Sequence, residues 1–178
     1  MTRNRYKIYN TAYPHFITCT VVDWLPLMKP VKVKQIIIDI LKFLQRENRI
    51  RIYAYVIMPD HLHLILSSNN LIQNVANFKS YSARQIIKYY IDSNQVSIIK
   101  KLKLAKPAYL KDRKHKFWQT GYSPKQISSM DMMQQKIDYI HYNPVRKKYV
   151  KEPEEWLFSS AHNFSGLPSP LCIDEIVI

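Results

Sequence analysis

The spacing of apolar and polar positions changes several times along the chain, and each change marks an element. Tyr13–Val22 (YPHFITCTVV) is rich in β-branched and aromatic residues, which predicts a first strand. From Val31 to about Glu47, Val33, Ile36, Ile37, Ile40, Leu41 and Leu44 recur at helical spacing and predict an amphipathic helix. Arg51–Met58 predicts a second strand, turned at Pro59-Asp60 into a third. The stretch Tyr55–Leu66, YVIMPDHLHLIL, carries the most informative pattern. Strand side chains alternate, so His61, His63 and Ile65 point one way while Leu62, Leu64 and Leu66 point the other. One face suits burial, and the opposite face sets two imidazoles side by side.

Asn69-Asn70 is placed to cap a long helix running to about Asp92, with Leu71, Val75, Phe78, Tyr81 and Ile86 among its apolar positions. Ser93-Asn94 ends it, and Gln95–Leu104 predicts a shorter helical piece. Lys116–Thr120 reads as a short strand and Gly121–Pro124 as a turn. Met130–Tyr142 is helical, with Asp131 acidic in its first turn. Asn143-Pro144 marks a boundary, because the residue before proline is pushed away from helical geometry. Asn143 as an N-cap with Pro144 at the first helical position would start another short helix, Pro144–Val150. The tail, Glu154–Ile178, predicts an irregular cover. This succession predicts an α+β sandwich: an antiparallel sheet with helices packed on one face and the histidines on the other.

Composition narrows the setting. A length of 178 residues with 47% apolar content predicts a globular domain with a sizeable core. The two cysteines, Cys19 and Cys172, have no metal-type spacing and are expected to stay reduced, as in the cytoplasm. The N-terminal residues lack the apolar core of a signal peptide, and the most apolar helical segment is too short to span a bilayer. Two glycines in the whole chain exclude a P-loop and a dinucleotide fingerprint. The net charge is +14, from 27 Lys+Arg against 13 Asp+Glu, which points to a polyanionic partner, nucleic acid first and an anionic membrane surface second. Lysines concentrate at Lys100, Lys101, Lys103, Lys106, Lys111, Lys114 and Lys116, with Arg113 among them and Trp118 adjacent. Cations among aromatics suit a groove that tracks a nucleic-acid backbone; a solvated lysine loop is the other reading.

Neutral imidazole is a good ligand for divalent transition ions, and alternation aims both rings of His61 and His63 at one point. Two half-buried strand histidines without metal is the alternative. There is no H-E-x-x-H for a zincin, no cysteine set for structural zinc, no second His-x-Ser/Thr for a two-histidine phosphoesterase, and too little glycine for a cupin. A metal held by two protein nitrogens keeps positions open for phosphate oxygens, a Lewis-acid arrangement suited to phosphoryl transfer. Tyrosine, thirteen times present, is the abundant candidate nucleophile.

Taken with FKSYSARQI (78–86), FWQTGYSP (117–124), KIDYIHYNPVRKKYV (136–150) and EEWLFSSAHNF (154–164), the histidine strand resembles the REP-associated tyrosine transposases. These are relatives of the single-tyrosine insertion-sequence transposases in the HUH nuclease superfamily. The resemblance covers nearly the whole chain. It implies a ferredoxin-like (RRM-like) α+β core and one transposase domain over 1–178, with 145–178 a C-terminal extension packed on it. It also implies a divalent metal, Mg²⁺ or Mn²⁺, and a single-stranded or hairpin DNA substrate. His61 and His63 match the family's histidine pair, Tyr139 its nucleophile and Asn143 its third metal-side residue; positions i and i+4 share a helix face. Asn143 retains its competing reading as a helix cap. Asp60 reads as a turn residue, and His141 as a surface or phosphate-contacting one.

The family mechanism implies attack by Tyr139 on the scissile phosphate, giving a 5′-phosphotyrosyl link and a free 3′-hydroxyl. A hydroxyl later reverses the link, so no ATP is consumed. The candidate DNA contacts are Lys100, Lys101, Lys103, Lys106, Lys111, Arg113, Lys114, Lys116, Trp118 and Arg146. A non-catalytic hairpin DNA- or RNA-binding relative is the rival. A basic peripheral membrane protein lacks the required amphipathic helix. The expected setting is cytoplasmic and nucleoid-associated, as a monomer or homodimer.

Overall fold

The computed structural model describes residues 13–106 and 114–176. β1 (His15–Thr20), α1 (Val31–Arg46), β2 (Arg51–Ile57), β3 (His61–Ser67), α2 (Leu71–Asp92) and α3 (Val96–Leu104) fall within two residues of the ranges the periodicity predicts. The side chain of Asn70 accepts from the Gln73 amide and caps α2, as its position in sequence suggests. β4 is only Lys125–Gln126, followed by α4 (Met130–His141), α5 (Asn143–Arg146) and α6 (Ala161–Phe164).

The four strands form one antiparallel sheet in the order β2-β3-β1-β4. β1 and β2 both pair with β3, so α1 crosses over between two strands that flank a third. This split βαβ topology is the ferredoxin-like arrangement. The register sets Thr18 opposite His63 and Thr20 opposite His61. It also puts Val56 of β2 opposite His63 from the other side.

Alternation on β3 separates two apolar clusters. Leu62, Leu64 and Leu66 join Ile17 and Cys19 of β1 beneath Val33, Ile37 and Leu41 of α1 and Val75 and Phe78 of α2. Each such side chain contributes roughly 1.5–3 kcal/mol by leaving water. The opposite face is not bare. Met133, Ile137 and Ile140 of α4 lie over Phe16, Val56, Met58 and Ile65. A bulge at Tyr53 turns both Tyr53 and Ala54 toward this second cluster, and the Tyr53 hydroxyl reaches Ser67 Oγ at 2.8 Å. Helices therefore cover the leucine face, as expected, while α4 crosses the histidine face beside the imidazoles.

Several local expectations are corrected. Residues 116–120 form no strand; a single bridge joins Trp118 to Val21, and the pairing edge is taken by β4. Phe117 and Trp118 are instead core residues. Asn143 does not cap a helix. Tyr142 before it is itself helical (φ −80°, ψ 0°), so the chain passes from α4 into α5 almost without a break, and Pro144 occupies the first turn, where no amide is needed. The tail covers the β2 edge, as an irregular cover should. Ile57 donates to the Phe158 carbonyl, Ser160 to Tyr55 and Asp174 to Ile52, which satisfies backbone groups an open edge would expose.

Candidate active site

Tyr139 is brought beside the histidine pair. The rings of His61 and His63 lie 4.7 Å apart, and the Tyr139 ring lies 5.3 Å from that of His63. The helix that supplies Tyr139 is fixed at its start and along one face. Ser129 accepts from Met132 at its N-cap, and its apolar stripe Met133–Ile137–Ile140 is buried. That stripe leaves Tyr139 at the margin, 39% exposed, with its edge against Phe16 at 5.8 Å. The phenol is thus accessible, while both imidazoles are buried.

Each imidazole is oriented by a partner on Nδ1. His61 Nδ1 donates to the Asp60 carboxylate at 2.6 Å, which leaves Nε2 with the lone pair in the neutral ring. His63 Nδ1 shares a 2.9 Å hydrogen bond with Thr18 Oγ1 across the β1–β3 register. Such outer partners fix ring orientation in metal sites. Burial, reinforced by the neighbouring His61, pushes His63 down to about 3, which favours the neutral ring. Asp60, read from sequence as a turn residue, does more: it holds a candidate ligand.

Asn143 lies one turn beyond Tyr139, is buried, and among the described residues its Oδ1 has no hydrogen-bond partner. An unsatisfied buried amide oxygen is costly unless something else binds it. Among the described residues no group of three His, Cys, Asp or Glu side chains is arranged to hold a metal ion, and the Asp60 carboxylate is taken by His61 Nδ1, so a third donor would be of another kind, such as an amide oxygen. Imidazole nitrogen and amide oxygen are donor types that suit a divalent cation with open positions. Arg146, on the next turn, sets its guanidinium 5.0 Å from the Tyr139 ring centre.

The remaining sequence-based candidates divide. Lys100, Lys101 and Lys103 are exposed on α3, which packs with α2 in the layer behind the leucine face, away from the imidazoles. Lys114 is exposed, and Lys106 and Lys116 are half-buried. Lys111 and Arg113 lie outside the described residues. Trp118 is a correction: it is 5% exposed and its indole N–H donates to Ser82 Oγ at 2.9 Å, so no face remains for a base. His141 is another. It is buried against Ser160 Oγ at 2.9 Å, and burial drives it down to about 4. Thr18 and Phe16 were not legible as site residues, since their role depends on cross-strand register. Beside them, Thr18 and Thr20 line a groove with Gln119, Thr120, Tyr122 and Lys125.

This arrangement has relatives. The family model "Transposase IS200 like" matches residues 8–143, a span that includes the histidine strand, Tyr139 and Asn143. The chain belongs to the IS200-like transposase family. A Haemophilus influenzae protein named "Putative REP-associated tyrosine transposase" is 28% identical over 113 residues, which is 61% of this chain; the chain spans 57% of that relative. A solved REP-associated tyrosine transposase bound to a REP hairpin shares the fold, with a TM-score of 0.60 and 21% identity over 100% of this chain and 94% of that one. As an IS200-like transposase with this topology, the chain has the ferredoxin-like core its sequence implied. No helix among the described residues is long and apolar enough to cross a membrane.

Proposed function

We propose that this chain is a metal-dependent single-stranded DNA endonuclease and strand transferase acting through a 5′-phosphotyrosine intermediate on hairpin-bearing DNA in the cytoplasm. The observation that carries this reading is the accessible Tyr139 ring 5.3 Å from His63, with both histidines oriented through Nδ1. Residues 1–178 act as one domain, and 145–178 are its C-terminal extension. The hairpin substrate is inferred from the relatives, one of which was solved on a REP hairpin.

His61 and His63 through Nε2 and Asn143 through Oδ1 would hold Mg²⁺ or Mn²⁺. When bound, such an ion supplies Lewis-acid stabilisation of charge on the phosphate. Tyr139 Oη attacks phosphorus, the bond from phosphorus to the upstream 3′-oxygen breaks, and the phenolic proton is released as the 3′-oxygen takes one up. Arg146 sets a cation beside the Tyr139 ring, where it attracts the incoming phosphate. The reverse attack by a 3′-hydroxyl rejoins the strand and frees the phenol, with the phosphodiester energy conserved in the link. Lys100, Lys101, Lys103, Lys106, Lys114 and Lys116 serve DNA outside the reacting centre, and Lys111 and Arg113 are further DNA contacts.

The test is a pool of labelled hairpin oligonucleotides with randomised single-stranded flanks, incubated with Mn²⁺ or Mg²⁺ and resolved under denaturing conditions. A covalent protein–DNA band is expected, lost in Tyr139→Phe and kept in Tyr81→Phe and Tyr142→Phe. Tight retention of DNA with no adduct under either ion would instead establish the non-catalytic hairpin-binding reading.

A further inference from the structure

Trp24 is the most exposed large aromatic side chain beside the site, at 57%, and its ring edge meets His61 at 6.0 Å and 71°. Nothing in its local sequence demands that placement. Asp23 and Trp24 both adopt left-handed backbone, with φ of 52° and 55°. Two successive non-glycine residues there cost on the order of 1–3 kcal/mol each. The surroundings hold the strained turn in place. Val21 donates to the Asp60 carbonyl, Val22 to Phe117, Trp24 to Val21, Leu25 to Val22 and Met28 to Pro59. The turn is tied to the same Pro59-Asp60 corner that positions His61.

The rings form a row in which Trp24 touches His61, His61 touches His63, and His63 touches Tyr139. Trp24 and Tyr139 stand at opposite ends of the imidazole pair. In phosphoryl transfer the attacking and leaving oxygens are roughly in line. With Tyr139 as attacker, a phosphate held over the imidazole pair would have its departing 3′-oxygen on the side marked by Trp24. Trp24 is not packed into the core, and among the described residues His61 is the ring it meets. An unpaired nucleobase offers the flat apolar face an exposed indole accepts.

We infer that Trp24 is a stacking platform for the base of the nucleotide immediately upstream of the scissile phosphate, the one that bears the released 3′-hydroxyl. This rests on the strand-transfer reading above for its polarity, though not for the stacking itself. Stacking there holds the freed strand end at the site, so it favours rejoining over loss of the cut strand.

The experiment uses the full chain in a Tyr139→Phe background, so that binding is read without cutting. The probe is the hairpin oligonucleotide selected from the pool by retention on Tyr139→Phe, with an abasic site placed in turn at each flank position. Base–aromatic stacking of the usual strength corresponds to about tenfold in affinity, which is the expected loss for Trp24→Ala on intact DNA. Trp24→Phe should retain most of it. The abasic site just upstream of the cut should weaken binding to the Trp24 protein by a similar factor and to Trp24→Ala not at all. An abasic penalty equal in both proteins at every position overturns the platform, as does coupling confined to the downstream side of a mapped cut. Adduct formation by the Tyr139 protein without such coupling removes the platform alone. Coupling at one unpaired position without any adduct retains the platform and removes the cutting reading. Circular dichroism of Trp24→Ala checks that the fold is kept.

Discussion

The two faces of β3 are built from alternate residues of one seven-residue strand, and they do different work. On one face Leu62, Leu64 and Leu66 vanish into a continuous apolar layer under α1 and α2. On the other, His61 and His63 are nearly as deeply buried, yet each keeps a specific polar partner and borders an accessible ring, Trp24 or Tyr139. The leucine face is paid by water exclusion alone. The histidine face uses the same exclusion to keep His63 neutral, so its nitrogen is an electron-pair donor rather than a cation.

The widest separation of the two faces should come from paired substitutions. His63→Ala is expected to abolish adduct formation while the protein remains folded. Leu64→Ala should cost roughly 2–5 kcal/mol in chemical denaturation. Adduct formation per folded molecule should then stay unchanged. If His63→Ala unfolds the chain, or Leu64→Ala kills activity in the folded fraction, the division of labour is wrong.

His141 gives a second, smaller contrast, because burial on the histidine side has an acid cost. Its folded value of about 4 lies below its ordinary 6.5, so the unfolded chain binds the extra proton between those limits. Stability is complete above about pH 6.5 and is lost as pH falls toward 4, by about 3 kcal/mol in all. Urea melts with a chelator present should show that slope added to the one His63 contributes over the same range, and His141→Gln should remove its own share and leave the rest.

The smallest effect concerns α3. Replacing Lys100, Lys101 and Lys103 together by Gln should weaken DNA binding and lower its salt dependence by about 0.7 per lost phosphate contact. The cutting rate of bound DNA should be unaffected, since α3 is in the layer behind the leucine face. A reduced cutting rate at saturating DNA would join the two regions after all.

Most of the scaffold was legible because its signals are local. Periodicity marked α1, α2 and α4, alternation divided β3, and Asn70 announced its own cap. The errors fall where distant residues decide. Trp118 looks like a stacking residue in a basic stretch, but Ser82, 36 positions earlier, takes its N–H and Phe78 lies near its ring. His141 looks like a surface residue until Ser160 of the tail reaches it. Asn143 before Pro144 reads as a cap because the dipeptide usually breaks a helix; here burial of Asn143 and Pro144 in the packed α4–α5 segment overrides that preference. Thr18 could be paired with His63 only once the strand register was known.

The near-seamless passage from α4 into α5 has a genetic corollary. Since Tyr139 comes to rest beside the imidazoles of its own polypeptide, two crippled alleles should fail to complement. A mixture of Tyr139→Phe and His63→Ala molecules would contain no intact centre, and restored adduct in such a mixture would mean that helices are traded between copies.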